Sequence, residues 1–225
     1  MKTYILVSEK SWHDELFLEL KERVGDTWIR FSSRDELTYK ALALLKPDKL
    51  FFPHWSYIIS SEIYKKYECI LFHMTDLPFG RGGSPLQNLI VRGLRNTRIS
   101  AIHVQKGLDA GDIYLKKDLS LDGTAHEIFI RASKIIKEMI MEIIENDLCP
   151  IPQQGEPEFF KRRAQEDGNV VLLTSIGEIY DYIRMLDCEG YPPAFLETDN
   201  VKFEFSHAVI KDSKTIEAHV KIIQK

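Results

Sequence analysis

The strongest constraint on this chain is the regular alternation of short apolar runs with helix-patterned segments through its first half. Residues 4–7 are a run of strand formers, followed by similar runs at 28–31, at 50–52 before Pro53, at 69–73 and at 99–104. Between the first two, Ser11 is placed to cap a helix with Asp14 and Glu15 in its first turn, where the helix dipole favours acids. Leu16, Leu20 and Val24 then recur at helical spacing, and Gly25 supplies a stop. Residues 35–45 read as a helix ended by Pro47, and 61–66 as a shorter one. Ser84-Pro85 opens a further helix that runs to about Arg92, with Gly93 near its end. Strands alternating with helices imply βαβ units. The expected fold is therefore α/β, Rossmann-like, with a mostly parallel sheet and helices on both faces. Residues 113–119 add a strand at the sheet edge.

Residues 124–146 carry the longest helical stripe, with Ile128, Ala132, Ile135, Ile136, Met139, Ile140 and Ile143 on one face. That pattern is a core-facing helix. After Cys149 the texture changes: Pro150, Pro152, Gly155 and Pro157 mark a linker or an extended crossing segment. Beyond it, 170–173 read as a strand, 176–186 as a helix, Tyr191-Pro192-Pro193 as a rigid turn, and 201–205 with 218–223 as an antiparallel pair. The expected organisation is a catalytic domain over 1–149, then a linker and a small C-terminal α+β subdomain over 150–225.

Composition excludes several classes. With 44% hydrophobic residues in 225 there is material for one sizeable core and a smaller one. The net charge of −4 argues against a phosphate-backbone partner, so no nucleic acid is expected. Three cysteines without a CxxC pair or Cys/His ligand spacing argue against disulfides and metal, and for reduced thiols in the cytoplasm. The N-terminal apolar run stops at Glu9, too short for a signal-peptide core, and no long apolar stretch suggests a membrane.

The chemistry concentrates between Cys69 and Asp112. In a parallel sheet, His73 falls at the carboxyl end of a strand, where open α/β sheets place their ligand crevices. The following loop holds Pro78, Gly80, Gly82 and Gly83 ahead of a helix start, so its backbone can approach a ligand closely. Gly107 to Asp112 form a tight acidic loop that a parallel order would bring to the same edge. A histidine and a carboxylate on neighbouring loops suit general acid–base work. From these residues alone, a packing histidine and a simple turn, or a weak calcium-like loop, stand open, and a packing histidine is the commoner case.

The wording CILFHMTDLPFGRGGSPLQNLI, followed by HVQKGLDAGDIY, resembles the core signature of the formyltetrahydrofolate-dependent transferases. Matching elements are His73, Leu77-Pro78, Arg81-Gly82, Pro85 with Gln87, and Gly107 to Asp112. The resemblance covers roughly residues 1–185 and is sharp over 69–112. It implies N10-formyltetrahydrofolate as cofactor and His73 and Asp109 as catalytic residues. It also implies cofactor contacts from His54, Trp55, Leu77, Pro78, Arg81, Gly82, Gly83 and Asp109. A bland reading of His54-Trp55 as a buried loop anchor remains beside that one.

The same stretch is similar to a narrower branch, which includes the N-formyltransferase of the pseudaminic acid pathway and the formylation domain of a nonribosomal peptide synthetase. It implies a UDP- or dTDP-linked amino-dideoxy sugar as substrate, with UDP-4-amino-4,6-dideoxy-N-acetyl-altrosamine foremost, and a homodimer by family habit. Asn88, Arg162, Arg163 and Tyr191 are the expected substrate contacts, the arginines through bidentate phosphate recognition unless their cluster is a solvated turn. A carrier-bound aminoacyl group and a non-catalytic folate binder stand as alternatives. Methionyl-tRNA is discounted, because that family carries a larger, basic C-terminal domain.

One departure matters. Two residues before the histidine the family has an asparagine, and here Leu71 stands there. Leucine donates no hydrogen bond, and losing one oxyanion donor typically costs about 10²–10³ in rate. Asn88, Thr75, His54 or a loop amide are the candidate replacements.

Overall fold

The computed structural model describes residues 1–23 and 25–225; Val24, part of the expected first helical stripe, lies outside them. In chain order the elements are β1 (Thr3–Val7), α1 (Asp14–Lys21), β2 (Thr27–Phe31), α2 (Tyr39–Leu45), β3 (Lys49–Pro53), α3 (Ser61–Tyr64) and β4 (Glu68–His73). Then follow β5 (Arg81–Gly82), α4 (Pro85–Ile90), β6 (Asn96–His103), β7 (Ile113–Ser120) and α5 (Ala125–Glu145). The last stretch holds β8 (Phe159–Phe160), α6 (Ile176–Arg184), β9 (Ala194–Glu197), β10 (Val201–Asp212) and β11 (Thr215–Gln224). Two compact units result. The first comprises Met1–Gly82, Arg98–Leu119 and Ile130–Phe159; the second comprises Gly83–Thr97, Ser120–Phe129 and Phe160–Lys225.

The first unit is built on a six-stranded sheet in the order β2-β1-β3-β4-β6-β7. β1 pairs in parallel with β2 and β3, and β3 with β4. Side-chain alternation sends Ile5, Val7, Leu50 and Phe52 to one face, where Leu42 of α2 and Ile63 of α3 cover them. On the other face Tyr4, Trp28, Phe51 and Phe72 are buried in a chain of ring contacts, with centroids 4.9 Å apart for Tyr4–Trp28 and 5.8 Å for Trp28–Phe51. α1 is tied to α5 by Lys137–Glu19 and by Arg23–Glu145 at 3.1 Å. The mostly parallel α/β class expected from the strand–helix alternation is the one observed.

Within that class, local details differ from the expectation. β6 runs antiparallel to β4, with His73 opposite Ser100 and Ile70 opposite His103. Ser11 lies in a 3-10 turn, and α1 begins at Asp14 without a side-chain cap; Asp14 and Glu15 do occupy its first turn. The helix expected over 35–45 is broken: a 3-10 turn at Arg34–Glu36 precedes α2, which Thr38 caps by accepting from Ala41 N at 3.2 Å. Ser84 adopts a left-handed backbone, and its hydroxyl accepts from Arg163 N at 3.1 Å instead of capping α4. β7 is at the sheet edge, as its pattern implied.

The second unit packs α6 against the antiparallel sheet β11-β10-β9. Ser175 and Glu178 form a reciprocal capping box at the start of α6. Ile183, Val170, Ala194, Phe205 and Ala208 make the small core. Arg184 is almost wholly buried and donates to Leu121 O at 2.6 Å, Gly123 O at 2.9 Å and Asp181 at 2.6 Å, which satisfies most of a guanidinium that burial would otherwise destabilise. Residues 170–173 are a turn, not the expected strand. Asn169 Oδ1 captures Val171 N at 3.0 Å and folds the segment away after a single bridge to Phe195. β10 and β11 run longer than the expected pair, and β9 was not foreseen. Among the described residues no helix is long and apolar enough to cross a membrane.

The Phe51 ring is wholly buried between Trp28 and Phe72, whereas Leu44 is 83% exposed. Phe51→Ala is expected to cost about 3–5 kcal/mol and Leu44→Ala less than about 0.5 kcal/mol, read as urea unfolding midpoints.

Candidate functional site

His73 ends β4 and is 7% exposed. Its Nε2 lies 2.8 Å from Gly80 O. A carbonyl only accepts, so Nε2 carries a proton and Nδ1 faces the other way. The loop that brings Gly80 back over the histidine is braced at several points. Ser100 Oγ donates to Thr75 O at 2.7 Å and accepts from Leu77 N at 3.2 Å. Thr75 Oγ1 donates to Gly80 O at 3.3 Å, and Lys116 Nζ donates to Leu77 O and Asp76 Oδ1, both at 2.5 Å.

Asp109 Oδ2 lies 3.7 Å from His73 Nδ1 and accepts from Gly82 N at 2.8 Å. Gly82 has φ +112°, a conformation open to glycine, and that turn aims its amide at the carboxylate. Asp109 itself has φ +47°, sparsely populated for a non-glycine residue. The loop's other end is fixed by close approach: a Cβ on Gly111 would stand 1.8 Å from His103 O, so no other side chain fits. The expected route to this meeting is corrected. A parallel β6 was to deliver the acidic loop to the edge where His73 sits, but β6 is antiparallel, and side-chain and backbone hydrogen bonds bring the two together instead. The imidazolium form of His73 is the one in which both nitrogens face acceptors, Gly80 O and the Asp109 carboxylate.

One residue at this site had no signal in the sequence. Gln153, in the proline-rich stretch read as linker, donates from Nε2 to Asp109 O and Gly111 O, each at 2.8 Å. Its Oε1 accepts from Arg81 Nε at 3.2 Å and from a terminal nitrogen of Arg81 at 2.7 Å. The antiparallel bridge Ile113–Ile151, two residues earlier, sets its position.

His54 follows β3 at φ +67°, packed edge-on to Trp12 at 5.4 Å. Trp55 packs on Phe52 and Tyr57 at 5.9 and 5.1 Å, and its buried Nε1 has no hydrogen-bond partner among the described residues. Burial, helped by Lys10, lowers His54 to about 3. Nearby His13, whose Nδ1 is 2.6 Å from Ser8 Oγ, is also held well below the usual histidine value, by burial first and then by His54, Arg30 and Lys10. Leu71 packs with Leu77, Ile102 and Ile113. Thr75 is buried with its hydroxyl on Gly80 O, so two of the replacements considered for the missing asparagine are already engaged, Thr75 here and Asn88 below.

The remaining expected residues belong to the second unit. Asn88 Nδ2 lies 2.9–3.0 Å from Gly83 O, Ser84 O and Lys161 O, which takes both amide hydrogens. Gly83 is required by packing, since a Cβ there would lie 2.8 Å from Arg162 Cα. Arg163 donates to Asp167 O at 2.6 Å and lies over the Tyr182 ring, whereas Arg162 is exposed. Tyr191 stacks on Phe129 at 5.5 Å, and burial pushes its phenol up. Among the described residues, no group of three or more His, Cys, Asp or Glu is placed to hold a metal.

Residues 165–223 match the model of the methionyl-tRNA formyltransferase C-terminal domain. A solved structure, methionyl-tRNA formyltransferase from Clostridium thermocellum, is 46% identical with full coverage of both chains and a TM-score of 0.97. Methionyl-tRNA formyltransferase of Francisella philomiragia is 30% identical over 177 residues, 75% of this chain and 56% of that protein. The chain thus spans little more than half of that relative's length. A 4-N formyltransferase from Francisella tularensis is 15% identical with a TM-score of 0.67, covering 88% and 93% of the two chains, a likeness of fold alone. The chain belongs to the formyltransferase family. The sugar-nucleotide substrate, the placement in glycan biosynthesis and the absence of a nucleic-acid partner are all corrected by these relatives, which are named for methionyl-tRNA.

His13 and His54 make stability pH-dependent with a definite sign. Both have folded pKa values below the unfolded 6.5, so below that pH the unfolded chain binds more protons and stability falls. The expected loss from pH 7 to pH 4 is at most about 1.4 kcal/mol per pH unit per histidine. Urea unfolding at stepped pH measures it, and His54→Gln should flatten the slope.

Proposed function

We propose that this chain transfers a formyl group from N10-formyltetrahydrofolate to the amine of methionyl-tRNA. The observation that carries the proposal is the 46% identity, over the full length of both chains, with an enzyme of that name. The residues present fit the cofactor: the Trp12, His54 and Trp55 surfaces and the unpartnered Trp55 Nε1 suit a planar heteroaromatic ring carrying acceptors. His54 and Trp55 would hold that ring, with Leu77, Pro78, Arg81 and Gly82 along the loop beside it. When bound, the cofactor supplies the activated formyl carbon.

The chain's own groups then have definite work. Asp109 Oδ2 is taken by Gly82 N, which leaves Oδ1 to accept a proton from the substrate ammonium and free its lone pair. As the new N–C bond forms, negative charge develops on the formyl oxygen. With leucine at position 71, Thr75 engaged and Gly82 N spent on Asp109, the Nδ1–H of His73 is the donor that meets this charge. Gly80 O, accepting from Nε2, holds the ring in the orientation from which Nδ1, when it carries a proton, donates. Overall the ammonium would give up two protons as the new N–C bond forms and the bond from the formyl carbon to the cofactor nitrogen breaks: one, taken by Asp109 Oδ1, would pass on to solvent, and the other would end on the cofactor nitrogen. The exposed side chains of Lys161 and Arg162 offer cations to a phosphate backbone, in keeping with a tRNA substrate.

Incubation with N10-formyltetrahydrofolate and methionyl-tRNA should yield formylmethionyl-tRNA, read by mass after mild hydrolysis. Nucleotide-linked amino sugars should gain nothing. His73→Ala and Asp109→Asn should each lower kcat by about a hundredfold or more, because each removes a group acting at the reacting atoms. Turnover by either variant within a few-fold of the parent would defeat these roles. Formylated sugar without formylated tRNA would defeat the substrate.

A further inference from the structure

We infer that Gln153 is a positioning residue that sets Asp109 and Arg81 for the transfer, an inference that rests on the formyltransferase reading above. All four hydrogen-bonding positions of its amide are filled from the site. Nε2 gives one hydrogen to Asp109 O and one to Gly111 O, both at 2.8 Å. Oε1 takes two N–H bonds from the Arg81 guanidinium, at 3.2 and 2.7 Å. A primary amide supplies that pattern of two donors and two lone pairs, and a carboxylate or an apolar chain of the same length does not.

The partners are not ordinary backbone. Asp109 holds φ +47°, a conformation that persists in a non-glycine residue when its surroundings enforce it. Gly111 is pressed against His103 O on its other side. Gln153 therefore clamps the acidic loop on both sides of Ala110, and the clamp fixes the direction from which the Asp109 carboxylate meets His73 Nδ1, 3.7 Å away, and Gly82 N. Through Oε1 the same side chain orients Arg81, which flanks Gly82 in sequence. One amide thus couples the loop that follows β4 to the loop that follows β6. The bridge at Ile151, with Ile113 N to Ile151 O at 2.8 Å and Ile151 N to Ile113 O at 2.9 Å, registers Gln153 against both.

The test separates positioning from bulk structure through two variants of nearly the same size. Gln153→Glu keeps the acceptor for Arg81 and loses both donors to the acidic loop. Gln153→Met loses every bond. Gln154→Ala, at the exposed neighbour, is the control. In Gln153→Glu, kcat should fall by about tenfold or more while KM for N10-formyltetrahydrofolate stays within about twofold, since misplacement of a reacting group by about 1 Å is costly. In Gln153→Met, kcat should fall as far and KM should rise as well, because Arg81 is released. The ring signals of 13C-labelled His73 in the ligand-free protein should move in both variants and stay in place in the control.

Unchanged kcat in Gln153→Glu, or unmoved His73 signals, would overturn the inference. So would a loss of activity that only follows a lowered Tm and returns on cooling. If Gln153→Met does not fold, Gln153→Glu decides. A parent protein without formyl transfer would sink the functional reading instead, and the His73 signals would still report whether Gln153 positions the pair.

Discussion

The site depends on one hydrogen bond, from the Gly82 amide to the Asp109 carboxylate at 2.8 Å. β4 and β6 are antiparallel, so the sheet alone does not carry both of their following loops to one edge. What joins them is a glycine turn that aims a backbone N–H outward and an aspartate held in a left-handed conformation to receive it. A charge-assisted bond of this kind is stronger than a neutral one and directional, so it fixes both loops relative to His73. The contact between Asp109 and His73 at 3.7 Å is then electrostatic rather than a hydrogen bond.

Around that bond the neighbouring groups are tied. Gly80 O fixes the imidazole, Thr75 and Ser100 fix the carbonyls beneath it, and Lys116 fixes Leu77. Leu71 contributes no polar atom and packs as a hydrophobe instead. In the proposed reaction the electrophilic work that a polar residue there would share is assigned to the histidine. Near His54 the logic is reversed: burial keeps both His54 and His13 neutral, and a neutral aromatic surface is what an uncharged heterocycle prefers.

The substrate was misjudged from the sequence for a physical reason. Net charge is a sum over the whole chain, whereas a nucleic-acid contact is local, and a total of −4 leaves room for an exposed pair such as Lys161 and Arg162. The finer resemblance rested on the wording of one loop, which reports the chemistry shared by all members of the family and says little of the acceptor. Arg163 and Tyr191, expected to touch substrate, lie against Tyr182 and Phe129.

The sequence by itself determined the α/β class and the long α5, and its motif singled out His73 and Asp109 as a pair. These follow from periodicity and from a motif, both of which are local. Tertiary structure decided the direction of β6, the turn at 170–173, the engagement of Asn88 with three backbone carbonyls and the place of Gln153. Strand direction depends on how a connection packs, and a side-chain amide in a proline-rich stretch has no periodicity to reveal it. Its meaning comes from the two loops, distant in sequence, whose carbonyls and guanidinium converge on it in space.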